Sequence, residues 1–350
     1  MKNSELSIVI PTLNERDALP ALLDDLARQQ GLAPQIIVAD GGSADDTVDR
    51  ALAAGVNVVV GPPGRGRQMN HGAQQASAPW LLFLHADSRL GDPQMLYCAL
   101  QALQTDSNAV AGHFGLRFMR EHDGGDLHYR YMEAKSRLNR LYTTNGDQGL
   151  LLARTHFEDL GGFDTRLPFL EDQRMLARLR ERGPVITLPG SLRTSARRFE
   201  VEGRMKRYVL MAIIMAMHVE GVDAFFERAP DVYRQQAHST RLLLTPYFRL
   251  LRRLMRELGP RRSLLHWVGV GRFILGESWQ PCYLLDVRRY GQAAAGKHPA
   301  LDCHDRYLAP LLHHRPMAIA TALAAFLVVM GPMTAWYRWR ERGALKPPDK

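Results

Sequence analysis

The chain has 350 residues, enough for one large domain or two smaller ones, and an apolar fraction of 46% allows a sizeable core. Its net charge of +9 is unevenly spread: residues 1–196 hold 20 Lys+Arg against 23 Asp+Glu, whereas residues 197–350 hold 25 against 13. That split argues against general nucleic-acid binding by the N-terminal part and equips the C-terminal part to face an anionic membrane surface or substrate. Cys98, Cys282 and Cys303 are far apart with no C-x-x-C, which excludes a disulfide framework and points to a reducing compartment. With a first strand starting near Leu6, no signal peptide is expected.

The N-terminal stretch alternates strands and helices. Strands are predicted at Leu6–Ile10, Gln35–Asp40, Val56–Val60 and Trp80–Leu84, with helices at Arg16–Gln30, Asp45–Ala54, Gly66–Gln75 and Pro93–Gln104. Asp92-Pro93 is a good helix start, a capping side chain followed by proline where no N–H is needed. The βαβ spacing implies a parallel sheet with right-handed crossovers. Val110–Phe118 alternates and predicts a half-buried, antiparallel strand. Residues 120–148 are read as loop and helix, Gly149–Ala153 as a strand, Phe169-Leu170-Glu171-Asp172 as the lead into a helix ending at Arg182, and Val185–Leu188 as a short strand. A basic segment, Arg193 to Arg207, closes the α/β region.

Strand ends carry the chemistry. Pro11-Thr12-Leu13-Asn14-Glu15 follows the first strand and Asp40-Gly41-Gly42-Ser43 the second, at the carboxyl edge where open α/β sheets bind ligands. Thr12 and Asp40 suit a base or ribose, although Asp40 and Ser43 equally suit capping of an Asp-Gly turn. Arg65 and Arg67, among glycines at a helix start, suit a diphosphate through helix N–H donors and guanidinium charge. It is not a P-loop, because Gly-Lys-Ser/Thr is absent. His85-Ala86-Asp87 at a third strand end suits a divalent ion, Mg²⁺ by its preference for oxygen or Mn²⁺ given the imidazole; His85 can equally be a hydrogen-bonded rim residue. Glu171-Asp172 opens a helix, so one carboxylate can serve structure while the other acts as base, unless both are caps. Asp302-Cys303-His304-Asp305 has ligand types but no second cluster.

Taken together, Ser7–Glu15, Asp40–Thr47, Asn70 to Asp87, Gly146–Phe163, Glu171-Asp172 and Arg197-Arg198-Phe199 resemble family 2 glycosyltransferases of the GT-A fold. The similarity is greatest to a subgroup labelled as radical-SAM and selenium-associated, through Leu84-His85-Ala86-Asp87, Gly146-Asp147-Gln148-Gly149 and Arg197-Arg198-Phe199. It covers roughly residues 4–233. The resemblance implies a Rossmann-like, mostly parallel α/β domain over 1–207; beyond it the residues themselves read as a mainly helical extension over 208–315 and an apolar, membrane-associated segment over 316–340. It implies that Pro11, Thr12, Glu15 and Asp40 hold the nucleotide and that Arg197 and Arg198 lie near its diphosphate; Arg65, Arg67 and Asn70 are expected at the same donor site. Asp87, with His85 where the family has the first Asp of Asp-x-Asp, would ligate Mg²⁺ or Mn²⁺. Asp172 would be the general base beside Glu171, and Asp147 and Gln148 would bind donor sugar or acceptor. The activity implied is inverting, single-displacement transfer of a sugar from a nucleotide-sugar donor to a hydroxyl acceptor, a lipid included. A polyprenyl-phosphate sugar synthase and a catalytically silent nucleotide-sugar-binding protein are the alternatives.

The C-terminal third is different in character. Tyr208–Val219 is almost wholly apolar, and Arg241–Leu258 is amphipathic, with arginines on one side and leucines on the other. Met317–Tyr337 has no charge and, at about 30 Å as a helix, matches a bilayer core. Trp336, Tyr337 and Trp339, followed by Arg338, Arg340, Arg342 and Lys346, form an interface-like end. A span would put that basic tail outside, against the positive-inside tendency, and Gly331-Pro332 can kink the helix. Span, interfacial or re-entrant helix, and core helix therefore stay open, with anchorage on the cytoplasmic face of a membrane as the expectation.

Overall fold

A computed structural model describes residues 4–120, 126–234 and 242–343. The chain forms two compact units, the first running to Ala196 and including Tyr290–Gly296, the second comprising Arg197–Arg289 and the residues from Lys297 onward.

The first unit is built on one eight-stranded sheet. Its strands are β1 Leu6–Thr12, β2 Gln35–Asp40, β3 Asn57–Val60, β4 Trp80–Phe83, β5 Arg89–Leu90, β6 Ala111–Met119, β7 Leu150–Ala153 and β8 Val185–Ser195, in the spatial order β3-β2-β1-β4-β7-β6-β8-β5. The first four run parallel, with β1–β2 in register from Ser7↔Gln35 to Thr12↔Asp40, so those two polar residues end up side by side at the carboxyl edge. β7 is antiparallel to both β4 and β6, β8 is parallel to β6, and β5 is antiparallel to β8. Helices α1 Leu19–Ala27, α2 Thr47–Ala53, α3 Arg65–Gln74, α4 Met95–Thr105, α5 Leu127–Lys135, α6 Arg154–Asp159 and α7 Glu171–Arg180 complete this unit. Burial on both sides explains why β1 and β2 read as continuous apolar runs. Val9, Ile37, Met69, Phe83, Phe157 and Phe163 share one core cluster. Phe163 meets Phe83 edge-on at 4.9 Å, which braces the layer beneath the site.

Two expectations need correction, and one strand is not legible in the sequence. Residues 110–118 are more buried than expected: β6 is buried from Ala111 to Leu116 and, besides its antiparallel pairing with β7 at Ala111 and Gly112, pairs parallel with β8 for most of its length. Gly112 makes this possible, because a Cβ there would lie 2.5 Å from Leu188. β8 continues to Ser195, past the predicted end at Leu188, so Arg193 is ladder and not the start of a basic segment. β5, two residues long, carries no periodicity to read; Asp25 fixes it by accepting from Arg89 Nε at 2.6 Å and Leu90 N–H at 3.0 Å.

The second unit is helical: α8 Arg197–Glu202, α9 Arg204–Val219, α10 Asp223–Arg234, α11 Thr245–Gly276, α12 Gln280–Tyr290 (whose last residue belongs to the first unit), α13 Pro299–Cys303, α14 Ala309–Leu312, α15 Arg315–Val328 and α16 Thr334–Arg340. α11 bends at Gly259 (φ 74°), ahead of Pro260, close to where the amphipathic segment was expected to end. Leu250, Leu251 and Leu254 are buried while Arg249, Arg253 and Arg256 are exposed; Arg241 lies outside the described residues, as does Lys346. His304 of the Asp302–Asp305 run is buried between Asp305 Oδ1 and Ser278 Oγ, at 3.0 and 2.9 Å, a structural arrangement. Arg315–Arg340 is the one helix among the described residues long and apolar enough to cross a membrane, with mean hydropathy 1.9.

Candidate active site

Two loops meet at the edge of β1 and β2. The Asp40 carboxylate accepts from Gly42 N–H and Ser43 N–H at 2.8 Å each, from Thr12 Oγ1 at 2.9 Å and from Ser43 Oγ at 2.5 Å. Gly42 holds φ 86°, a conformation that favours glycine. Thr12 and Asp40 are both buried, so they organise the loop; the turn-capping alternative describes their present contacts. Gln68, a residue that no motif singles out, reaches from α3 to donate to Thr12 C=O at 2.6 Å and Ala39 C=O at 3.0 Å. Pro11 is half-buried at the end of β1, and Glu15 donates its N–H to Thr47 Oγ1 at 2.9 Å.

Beside these loops a small cavity, partly open to solvent, is lined by Arg65, His85, Asn145, Gly146, Glu171 and Asp172 over a floor of Met69, Phe83, Phe163 and Leu176. Four residue groups distant in sequence converge here. Arg65 and Arg67 are exposed in the first turn of α3. Arg65 Nη1 stands 3.5 Å from Glu171 Oε1. Asn70, expected at the nucleotide, clamps the 161–163 turn to α3. Its Nδ2 donates to Phe163 C=O at 2.9 Å and its Oδ1 accepts from Phe163 N–H at 2.8 Å.

Glu171 and Asp172 sit in the first turn of α7, after Leu170 in the left-handed region (φ 66°). Asn14, Tyr142 and Leu170 are the non-glycine residues with positive φ among those described, and each lies in a loop. Glu171 is 1% exposed, and neither carboxyl oxygen has a hydrogen-bond partner among the described residues. Burial raises the affinity of both carboxyls for a proton, against the pull of Arg65. Asp172 Oδ2 accepts from the Gly146 N–H at 2.5 Å.

That N–H is delivered by a 3₁₀ turn, Gly146–Gln148, capped by Asn145. Gln148 was expected to touch donor sugar or acceptor, and the structure overturns this: it is fully buried, donates to Ser136 C=O at 2.8 Å and Phe114 C=O at 3.2 Å, meets His113 Nδ1 at 3.0 Å, and accepts from Asn145 N–H at 2.9 Å. Gln148 is the anchor that holds the turn. Burial, with the charges of Asp172 and Asp87, pushes the Asp147 carboxyl up to about 6.

His85 and Asp87 leave the same strand end and are both half-buried. His85 Nε2 comes within 2.9 Å of where a Cβ on Gly146 would sit, so it reaches the cavity, whereas Asp87 does not line it. Among the described residues no group of three His, Cys, Asp or Glu is gathered closely enough to hold a metal ion. An oxygen and an imidazole donor suit Mn²⁺, and a cation there would offset the charges of Asp172 and Asp87 that act on Asp147; the remaining ligands would have to be substrate and water. Arg197 and Arg198 open α8 and belong to the second unit.

Such a cavity, which brings Arg65 together with Glu171 and Asp172, follows an N-terminal run of βα units. Residues 7–158 match the family described as Glycosyl transferase family 2. A PGL/p-HBAD biosynthesis glycosyltransferase of Mycobacterium bovis (strain BCG / Pasteur 1173P2) is 39% identical over 97 residues, 26% of this chain and 38% of that protein. Glucosyl-3-phosphoglycerate synthase of Mycobacterium tuberculosis (strain ATCC 25618 / H37Rv) is 32% identical over 102 residues, 26% of this chain and 31% of that protein. The chain therefore spans well under half the length of these curated relatives. Among solved structures, the mannosyltransferase PcManGT from Pyrobaculum calidifontis, in complex with GDP-Man and Mn²⁺, superposes with a TM-score of 0.47 at 15% identity, over 93% of this chain and 87% of that one. These matches reach the family 2 domain and give no support to the narrower radical-SAM and selenium-associated subgroup.

Proposed function

We propose that the chain is a glycosyltransferase that moves a sugar from a nucleotide-sugar donor to an acceptor hydroxyl, with inversion at the anomeric carbon. The observation that carries this reading is the Asp172 carboxylate held by the Gly146 N–H in a cavity that also receives Arg65. The Gly146 N–H holds Oδ2 and orients the carboxylate that would take the acceptor proton. Burial, which raises its proton affinity, makes it a stronger base once ionised. As the acceptor oxygen bonds to C1, the bond from C1 to the diphosphate oxygen breaks and its electron pair leaves with the nucleotide. Arg65 and Arg67 at the α3 N-terminus supply cations and N–H groups to that departing charge. Glu171, buried and next to Arg65, positions the guanidinium. A divalent ion held by Asp87 and His85 would add charge neutralisation on the diphosphate. The loops of Thr12 and Asp40 form the nucleotide shelf, with Gln68 as their tie.

The exposed apolar segment Arg315–Arg340 favours a second acceptor, a polyprenyl phosphate. A phosphate is already ionised and needs no base, so this reading and the first differ in their demand on Asp172. The same segment supports attachment to the cytoplasmic face of a membrane, where nucleotide sugars are found.

The test is a thermal-shift screen of the full chain with UDP-, GDP- and dTDP-sugars, with and without Mn²⁺ or Mg²⁺, followed by assay of nucleotide diphosphate release. One donor class should raise Tm and be consumed. No shift and no turnover with any donor would overturn the proposal, and a shift without turnover toward any acceptor would favour a silent binding protein.

A further inference from the structure

We propose that α15–α16 does not cross the membrane but lies along the surface of an anionic bilayer, with α11 as its backing. This rests on the reading that the chain is membrane-bound and is independent of the transferase chemistry.

A seam runs along the whole segment. At its start, His313 Nε2 bonds to Leu275 C=O near the end of α11, at 2.9 Å. Next, Gly271 admits the α15 backbone so closely that a Cβ would lie 2.2 Å from Ala318 C=O. Trp267 and Phe326 meet edge-on at 5.3 Å. Further along, Arg252 Nη2 donates to Met330 C=O at 3.0 Å, and the Phe248 and Tyr337 rings lie 5.8 Å apart. Finally, the buried Glu341 carboxylate accepts from Leu244 N–H and Thr245 N–H at 3.0 and 2.9 Å, capping the start of α11. The apolar segment is thus fixed antiparallel to α11 from end to end.

α11 cannot follow it through hydrocarbon. It carries exposed Arg249, Arg253, Arg256, Arg261 and Arg262 along its length. Arg252 also places a guanidinium on the Met330 carbonyl, beside the Gly331-Pro332 break and well inside the apolar run. Charges at the level of a bilayer core are costly unless they reach water or a paired cavity. Lying in the plane removes that conflict.

The exposed side of the segment fits the interface. Ala318 and Ala322 are the buried stripe, while Ile319, Leu323 and Leu327 are 55%, 60% and 57% exposed. Trp336 and Trp339, both exposed, pair at 5.5 Å at the far end. Arg315 precedes the run, and Arg338, Arg340 and Arg342 follow it, all exposed. An apolar stripe with tryptophans and flanking arginines matches the acyl–headgroup boundary of anionic lipid.

Two experiments on the full chain test this. In flotation, wild type should associate with vesicles of phosphatidylcholine plus phosphatidylglycerol and poorly with phosphatidylcholine alone. Leu323→Asp with Leu327→Asp should cut partitioning roughly tenfold or more, given the apolar area each leucine contributes, with circular dichroism and donor binding unchanged. In spheroplasts, a C-terminal epitope tag should resist external protease until lysis, as the N-terminal domain does. Loss of the tag while the N-terminal domain stays protected would establish a span and overturn the in-plane arrangement alone. Failure to float on either vesicle would overturn membrane attachment itself. Equal flotation on both vesicles, or no effect of the leucine variants, would overturn the proposed surface, as would a lipid-free oligomer that those variants dissociate.

Discussion

The backbone N–H of Gly146 donates to Asp172 Oδ2 over 2.5 Å, joining a turn ahead of β7 to the first turn of α7. Gly146 can do so because it has no side chain: a Cβ would lie 2.9 Å from His85 Nε2 and 3.2 Å from Asp172 Oδ2. Gly146→Ala should therefore lower kcat by roughly a hundredfold, as misplacement of about 1 Å at a reacting group does, while Tm changes little. Steady-state kinetics with melting curves check this; unchanged kcat would mean that the Asp172 geometry is immaterial.

Gln148 makes its bonds inside the core, not to substrate. Gln148→Ala would strand the Ser136 and Phe114 carbonyls and the Asn145 N–H. The expected cost is about 2–4 kcal/mol of stability, typical of breaking a buried network, measurable by denaturant unfolding. A direct substrate ligand would instead show wild-type stability and a raised KM.

The βα units and their strand ends are legible in the sequence because period and punctuation are local. Asp40, Asp87 and Asp172 are visible there as acids at strand or helix ends. What each one touches is not, because the partners come from elsewhere: Gln68 is 56 residues from Thr12, and Gln148 is 35 from His113. Asn70 and Gln148 look like ligand contacts since a polar residue inside a motif reads the same whether it faces a cavity or the core. The length of β8 is hidden for a similar reason. Its pairing with β6 and β5 overrides a segment containing Pro189, Gly190 and Arg193.

His113 supplies a pH test. It is fully buried, its Nε2 is 2.8 Å from Asn139 Oδ1, and burial holds its pKa below the usual 6.5. The unfolded chain then binds more protons than the folded one below about pH 6.5, so stability falls as pH drops from there toward the folded value. The raised carboxyls of Asp147, Glu171 and Asp172 act in the opposite sense as pH falls, so the His113 contribution is read as the difference between wild type and a His113 variant. His113→Gln should lose that part of the slope, whatever its absolute stability, and an unaltered slope would assign the acid sensitivity to another group.

Metal dependence can be read without turnover. Mn²⁺ should raise the Tm of wild type in the presence of donor, and EDTA should reverse it. Asp87→Ala should abolish the shift, with Arg65 and Arg67 left as the charge stabilisers. A shift that persists in Asp87→Ala would move the ion to other ligands.

The proposed chemistry turns on Asp172 taking the acceptor proton, and single-turnover transfer by Asp172→Asn, measured alongside its donor affinity, probes that step. Asparagine keeps an oxygen for the Gly146 N–H but removes the base. The expected result is a fall in the transfer rate of roughly a hundredfold or more, on the scale of general-base contributions, with donor Kd within a factor of about three of wild type, as for an interaction made only in the transition state. Wild-type transfer by Asp172→Asn would refute Asp172 as the base and favour an acceptor that arrives already ionised.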